Sequence, residues 1–149
     1  MNIALSSDER SDIADFVAGY LKGKGHRVRR FGAVSKKAMD WADSSEELAE
    51  EVASGRCDQG VLFCWTGTGS SIAANKIPGI RAALCVDSEE ARGARRWNHA
   101  NVLVMSTRLT SKHIAREILD AWFLEPNGSS AYDRRNVKKL ADIERRHMG

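Results

Sequence analysis

At 149 residues the chain has the length of a single domain, expected to run over 1–149, and it is long enough to bury a substantial core. Its 42% hydrophobic and 29% charged residues are those of an ordinary globular protein, without a low-complexity tract or an internal repeat. The formal charge of +3 gathers at Arg92, Arg95 and Arg96, at Arg134, Arg135, Lys138 and Lys139, and at Arg145 and Arg146; without aromatic interleaving these read as solvated helix faces, which argues against a nucleic-acid partner.

Asn2-Ile3-Ala4-Leu5 predicts a first strand that stops at Ser6-Ser7-Asp8, and Ile13, Phe16, Val17, Tyr20 and Leu21 share one face of a following helix. Asp8 and Glu9 interrupt the N-terminus too early for a signal peptide, and no apolar run approaches membrane-spanning length, so a cytoplasmic location is expected. Gly23 and Gly25 close the helix, His26 to Phe31 suggests a second strand, and Glu46 to Ala53 a helix of modest apolar content.

Gly60 to Cys64 is the third strand. It runs into Thr66-Gly67-Thr68-Gly69 and a helix that ends before Pro78. Such a turn delivers bare backbone N–H groups to a helix start, where an anion or a developing oxyanion is favoured. Cys64 alone reads as well as a small buried side chain; its place beside that turn favours a reactive thiol. The glycines do not complete a dinucleotide fingerprint, because Ile72 occupies the third glycine's position, and no Gly-Lys-Ser/Thr follows for a phosphate loop.

Arg81 to Val86 predicts a fourth strand, Ser88 to Trp97 a helix capped by Ser88, and Asn101 to Met105 a fifth strand. Ile114, Ile118, Leu119, Trp122 and Phe123 line one face of the next helix, and after Pro126-Asn127-Gly128 a basic helix runs from about 134 to 147. Its narrow stripe of Val137, Leu140 and Ile143 is expected to pack on a partner subunit, because Trp122 and Phe123 need cover. Five apolar strands alternating with helices imply an α/β, three-layer architecture with a parallel sheet, whose ligands bind outside the carboxyl ends of the strands. That rule gathers Ser6 to Arg10, Cys64 to Ser71, and Met105 to Arg108.

Cys57, Cys64 and Cys85 form neither an even set nor a Cys-x-x-Cys pair, so they are expected as free thiols. The four histidines are scattered, which argues against a metal site.

Taken with the motifs Gly60-Val61-Leu62-Phe63-Cys64-x-Thr66-Gly67-x-Gly69, Ser71-Ile72-Ala73-Ala74-Asn75-Lys76, Gly79-Ile80-Arg81-Ala82, Asn101-Val102-Leu103 and Arg108, the sequence resembles the type B ribose-5-phosphate isomerases and the related galactose-6-phosphate isomerase subunits over nearly its whole length. The resemblance implies a Rossmann-like fold, a homodimer or dimer of dimers with a shared active site, and aldose–ketose isomerisation of a sugar phosphate through an enediolate with no metal or organic cofactor. It implies that Cys64 removes the proton next to the carbonyl, and that amides from Gly67 to Ser71, including Gly69 and Ser70, hold the oxyanion. Thr66 would handle the sugar ring or its oxygen, Asp8 would bond sugar hydroxyls, and Arg108 would contact phosphate.

This chain also departs from the pattern the resemblance implies. Glu9 stands where a phosphate-binding histidine is usual, and Trp97-Asn98 where a His-Asn pair opens the sugar ring; Asn98 is kept, and His99 is the candidate substitute for the missing imidazole. Tyr132 and Asn136 take the positions of two phosphate-binding arginines, with Arg134 and Arg135 close by. Trp41 stands for a tyrosine at the substrate's border, and Trp65 for a glycine. The expectation is an isomerase with an altered substrate pocket, acting on a sugar phosphate or a related sugar; the alternative is a catalytically weakened protein of the same fold that binds a sugar or anion.

Overall fold

The computed structural model describes residues 1–148. Strands β1 (Asn2–Ser7), β2 (Arg27–Gly32), β3 (Gln59–Cys64), β4 (Ala82–Leu84) and β5 (Val102–Ser106) form one parallel sheet in the order β2-β1-β3-β5-β4. Alternate side chains point to opposite faces, and here both faces are apolar. Ile3, Leu5, Val61, Phe63, Leu103 and Met105 meet helices α1 (Asp12–Gly23), α4 (Ser88–Asn98) and α5 (Lys112–Leu124) on one side. On the other, Ala4, Leu62, Val102 and Val104 meet α2 (Trp41–Ala53) and α3 (Thr68–Ala74). The result is the expected three-layer α/β sandwich.

Chain order reverses direction between β1 and β3, because β2 lies on one side of β1 and everything later lies on the other. A crevice opens at such a reversal beyond the carboxyl ends of the strands. Ser6 to Arg10, Cys64 to Ser71 and Ser106 to Arg108 all leave the sheet at that end.

Several boundaries differ from the sequence reading for local reasons. β4 keeps only three residues, because it is an edge strand paired to β5 alone, and Arg81 N–H bonds the Asn101 side chain instead (2.8 Å). α2 starts at Trp41, where Ser44 and Ser45 hydroxyls turn back to the Trp41 carbonyl. The cap of α4 is Asp87, whose carboxylate accepts from Glu90 N–H at 2.9 Å, and not Ser88. The last helix, α6 (Ala131–Met148), begins three residues before the expected 134.

The reason offered for placing α6 on a partner also needs correction. Trp122 is fully buried within its own chain, its Nε1 donating to Gln59 Oε1 at 2.7 Å, and needs no cover. α6 rests against α4, with Gly79 N–H donating to Glu144 Oε1 at 2.9 Å, while Leu140 and Ile143 stay half exposed.

Candidate active site

β3 ends at Cys64, which is 5% exposed, at the floor of the carboxyl end of the sheet. Its Sγ accepts the N–H of Gly67 at 3.1 Å. That bond needs the chain to fold back within three residues, and Gly67 supplies the left-handed geometry at φ 80° as the N-cap of α3. A β-carbon there would stand 2.5 Å from Leu84 Cδ1, which would have to move.

Of the five amides from Gly67 to Ser71, three are already engaged, Gly67 with the Cys64 sulfur and Ser71 with the Gly67 carbonyl at 3.1 Å among them. Thr68 N–H reaches Thr66 Oγ1 at 3.4 Å. Gly69 and Ser70, in the first turn of α3, have no carbonyl four residues back to bond and remain the donors available to an anion. The Ser70 hydroxyl is buried and has no hydrogen-bond partner among the described residues. Thr66 is exposed, with Oγ1 2.7 Å from Thr68 Oγ1.

Asp8 follows β1 on the neighbouring loop, half buried. Burial pushes its carboxyl above the ordinary value against the opposing effect of backbone N–H groups, and the adjacent Glu9 carboxylate adds to the rise. Glu9 itself is exposed, and its carbonyl takes the Ser7 hydroxyl at 2.7 Å. The Trp41 indole lies over Gly69, bordering the free amides. Trp65, next to Cys64, is 64% exposed. Its carbonyl is pinned by the Ser106 hydroxyl (2.7 Å) and by Arg108 N–H (3.2 Å), which ties the Cys64 loop to the end of β5. Sequence reasoning missed Ser106, since a serine ending an apolar strand carries no distinctive signal. Arg108 is exposed at the same end and forms no ion pair among the described residues.

The other candidates lie elsewhere. α4 carries the chain from the carboxyl end of β4 back to the amino end of β5, so Trp97, Asn98 and His99 are at the opposite end of the sheet from Cys64. The 11 residues of α4 put about 16 Å between the two ends at 1.5 Å per residue. Trp97 folds back over Gly93. With Asn98, Tyr132, Asp133, Asn136 and Lys139 it lines a groove of about 660 Å³ between α4 and α6.

His99 lies far from Cys64 of its own chain. It is the left-handed cap of α4 (φ 48°), and its Nε2 lies 2.8 Å from the Gly128 carbonyl, where it fastens the segment that leads to α6. Arg134 bonds the Ser129 carbonyl and Arg135 sits 5.3 Å from the Tyr132 ring. Two motif residues turn out to be clamps: Asn75 bonds both the N–H and the carbonyl of Ala82, and Asn101 bridges Arg81 to Gly79.

Among the described residues no group of three or more His, Cys, Asp or Glu is placed to hold a metal ion, and no helix is long and apolar enough to cross a membrane.

Comparison with known proteins gives a consistent result. The family profile described as Ribose/Galactose Isomerase matches residues 3–140. Ribose-5-phosphate isomerase B of Escherichia coli is 35% identical over 87% of either chain, and D-erythrulose-4-phosphate isomerase of Pectobacterium atrosepticum is 34% identical over 82% of either. The solved structure of Clostridium thermocellum ribose-5-phosphate isomerase B superposes with a TM-score of 0.91 at 37% identity, covering 99% of both chains.

Proposed function

The chain belongs to the ribose/galactose isomerase family, and on that footing we propose that it interconverts an aldose and a ketose sugar phosphate by proton transfer, with Cys64 as the base. The observation that carries this reading is the Cys64 sulfur held 3.1 Å from Gly67 N–H, beside the two unengaged amides of Gly69 and Ser70.

The sulfur, as thiolate, takes the proton from the carbon next to the aldehyde. The electrons of that C–H bond form the carbon–carbon double bond, and the carbonyl pair moves onto oxygen, giving an enediolate. Gly69 and Ser70 amides face the oxygen as it gains charge, a preorganised role of the oxyanion-hole kind. The hydroxyl proton passes between the two oxygens with the help of Asp8, whose raised affinity for a proton suits exchange. The thiol then returns its proton to the terminal carbon and a ketose results. No electrons leave the substrate, so no redox partner enters the balance.

A second copy completes the site in this reading. Asn98 and the α4–α6 groove lie at the wrong end of the sheet to reach Cys64 of the same chain, and that separation supports a homodimer in which each groove serves the partner's thiol.

The test follows deuterium entering the carbon next to the carbonyl when a panel of sugar phosphates is incubated with the protein in deuterated water. Exchange that disappears in Cys64→Ala is the expected result. Exchange that persists in that variant would remove Cys64 from the mechanism. Arg108→Ala should lower kcat/KM for a phosphorylated substrate by about 10- to 100-fold, the loss of one charge-assisted contact.

A further inference from the structure

We infer that the substrate is a sugar phosphate that stays open-chain, which for an aldose phosphorylated at its terminal hydroxyl means no more than four carbons. This rests on the isomerase reading above and specifies its substrate.

Opening a cyclic sugar requires removing a proton from the anomeric hydroxyl and delivering one to the ring oxygen. Near neutral pH imidazole is the side chain suited to both. The chain has four histidines, and none is free at the Cys64 end. His26 precedes β2 at the amino end of the sheet, its ring 4.7 Å from that of Phe123. His99 is committed to the Gly128 carbonyl. His113 begins α5 but its ring pairs with Glu117 at 3.0 Å on the exposed side of that helix, away from the Ala115 and Ile118 face that meets the sheet. His147 lies exposed in the last turn of α6.

A partner copy does not repair the deficit. The groove it would present offers Trp97, Asn98, Tyr132, Asn136 and Lys139, whose indole, amides, phenol and ammonium are poor proton shuttles near pH 7; Asp133, also in the groove, is nine-tenths buried and crowded by Gly128. At the carboxyl end the loop after β1, whose Ser7 pairs with Phe63, brings Asp8 and Glu9, and the start of α2 brings Asp40. Isomerising an open-chain sugar occupies the thiol with the carbon-bound proton and a carboxyl with the oxygen-bound one. What is left over is exposed carboxyl, Glu9 and Asp40, and no imidazole to serve a ring.

Carbon counting then fixes the class. An aldose with a terminal phosphate and five or six carbons has a free hydroxyl placed to close a five-membered ring. With four carbons that hydroxyl carries the phosphate, and the others could close only strained smaller rings. The Arg108 guanidinium at this end, without an ion pair among the described residues, suits the phosphate.

The test compares the 4-phosphates of erythrose and threose, of both hands, with ribose 5-phosphate and with the open-chain ketose ribulose 5-phosphate. Turnover of a four-carbon substrate should rise in proportion to enzyme and exceed that of ribose 5-phosphate by at least ~10-fold in kcat/KM. Ribose 5-phosphate turnover should level off with added enzyme at the rate of spontaneous ring opening. If it instead keeps rising in proportion to enzyme beyond that rate, the open-chain inference is overturned while the isomerase reading stands. Absence of deuterium exchange in every sugar phosphate, ribulose 5-phosphate included, would overturn the isomerase reading itself and the inference with it.

Discussion

The indole of Trp41 lies over Gly69 so closely that a β-carbon on that glycine would stand 3.0 Å from Cε3 and 3.2 Å from Cδ2. Because the contact is with the movable end of a side chain, Gly69→Ala should fold, with a stability change below about 1 kcal/mol, while the indole shifts off the turn. The check is a change in tryptophan fluorescence and a raised KM. Gly67→Ala should behave differently: its φ of 80° and the 2.5 Å approach to Leu84 Cδ1 predict a loss of about 1–3 kcal/mol, read in a denaturant titration.

The three thiols should separate under alkylation. Cys85 is 1% exposed and burial pushes it up to about 12, with Glu90 and Asp87 carboxylates adding to the rise; Cys57 is equally covered and raised chiefly by burial. At pH 8 the Cys85 thiolate fraction is then about 10⁻⁴. Iodoacetamide followed by peptide mass spectrometry should modify Cys64 first and the other two only on unfolding. Modification of Cys85 ahead of Cys64 in the native protein would contradict this order.

Asp8 sets a pH dependence of stability. Its carboxyl is raised above the ordinary value mainly by burial, so the folded protein holds this proton more tightly than the unfolded chain. The resulting stability is fully present below the ordinary carboxylate value and is lost as pH rises through the raised one. Asp8→Asn should therefore match the parent near about pH 3 and melt higher than it at about pH 8. Thermal melts across that range test the sign.

Trp122 anchors α5 to the start of β3 through its bond to Gln59. Trp122→Phe empties part of a fully buried site and strips the Gln59 carbonyl of its donor, for a loss of about 2–4 kcal/mol by chemical denaturation. Removing both partners in Trp122→Phe/Gln59→Leu should cost less than the two single losses added together.

What the sequence made legible was periodic or local. Apolar runs alternating with amphipathic stretches are enough to read five strands, and the glycine turn after Cys64 identifies the end of the sheet where chemistry belongs. Long-range relationships were not legible. Trp122 read as a side chain in want of a cover because its partner, Gln59, is 63 residues away. The role of His99 as a clamp was hidden because its carbonyl acceptor belongs to a loop 29 residues on. Which end of the sheet Trp97 and Asn98 occupy follows only from the direction of α4, which carries them away from Cys64 of their own chain. The start of α2 was missed because two serine-to-backbone bonds, and not an apolar stripe, hold its first turn.

The order β3-β5-β4 has a bearing on how the protein is made. After β3 the chain travels past a vacant lane, lays down β4 at the border, and only then slots β5 into the gap. Until residue 106 has been synthesised, β3 shows a bare row of amide and carbonyl groups ready to pair with another chain. A nascent or truncated polypeptide ending before β5 should therefore clump, and chaperone demand should be concentrated in the interval between translation of β3 and arrival of β5.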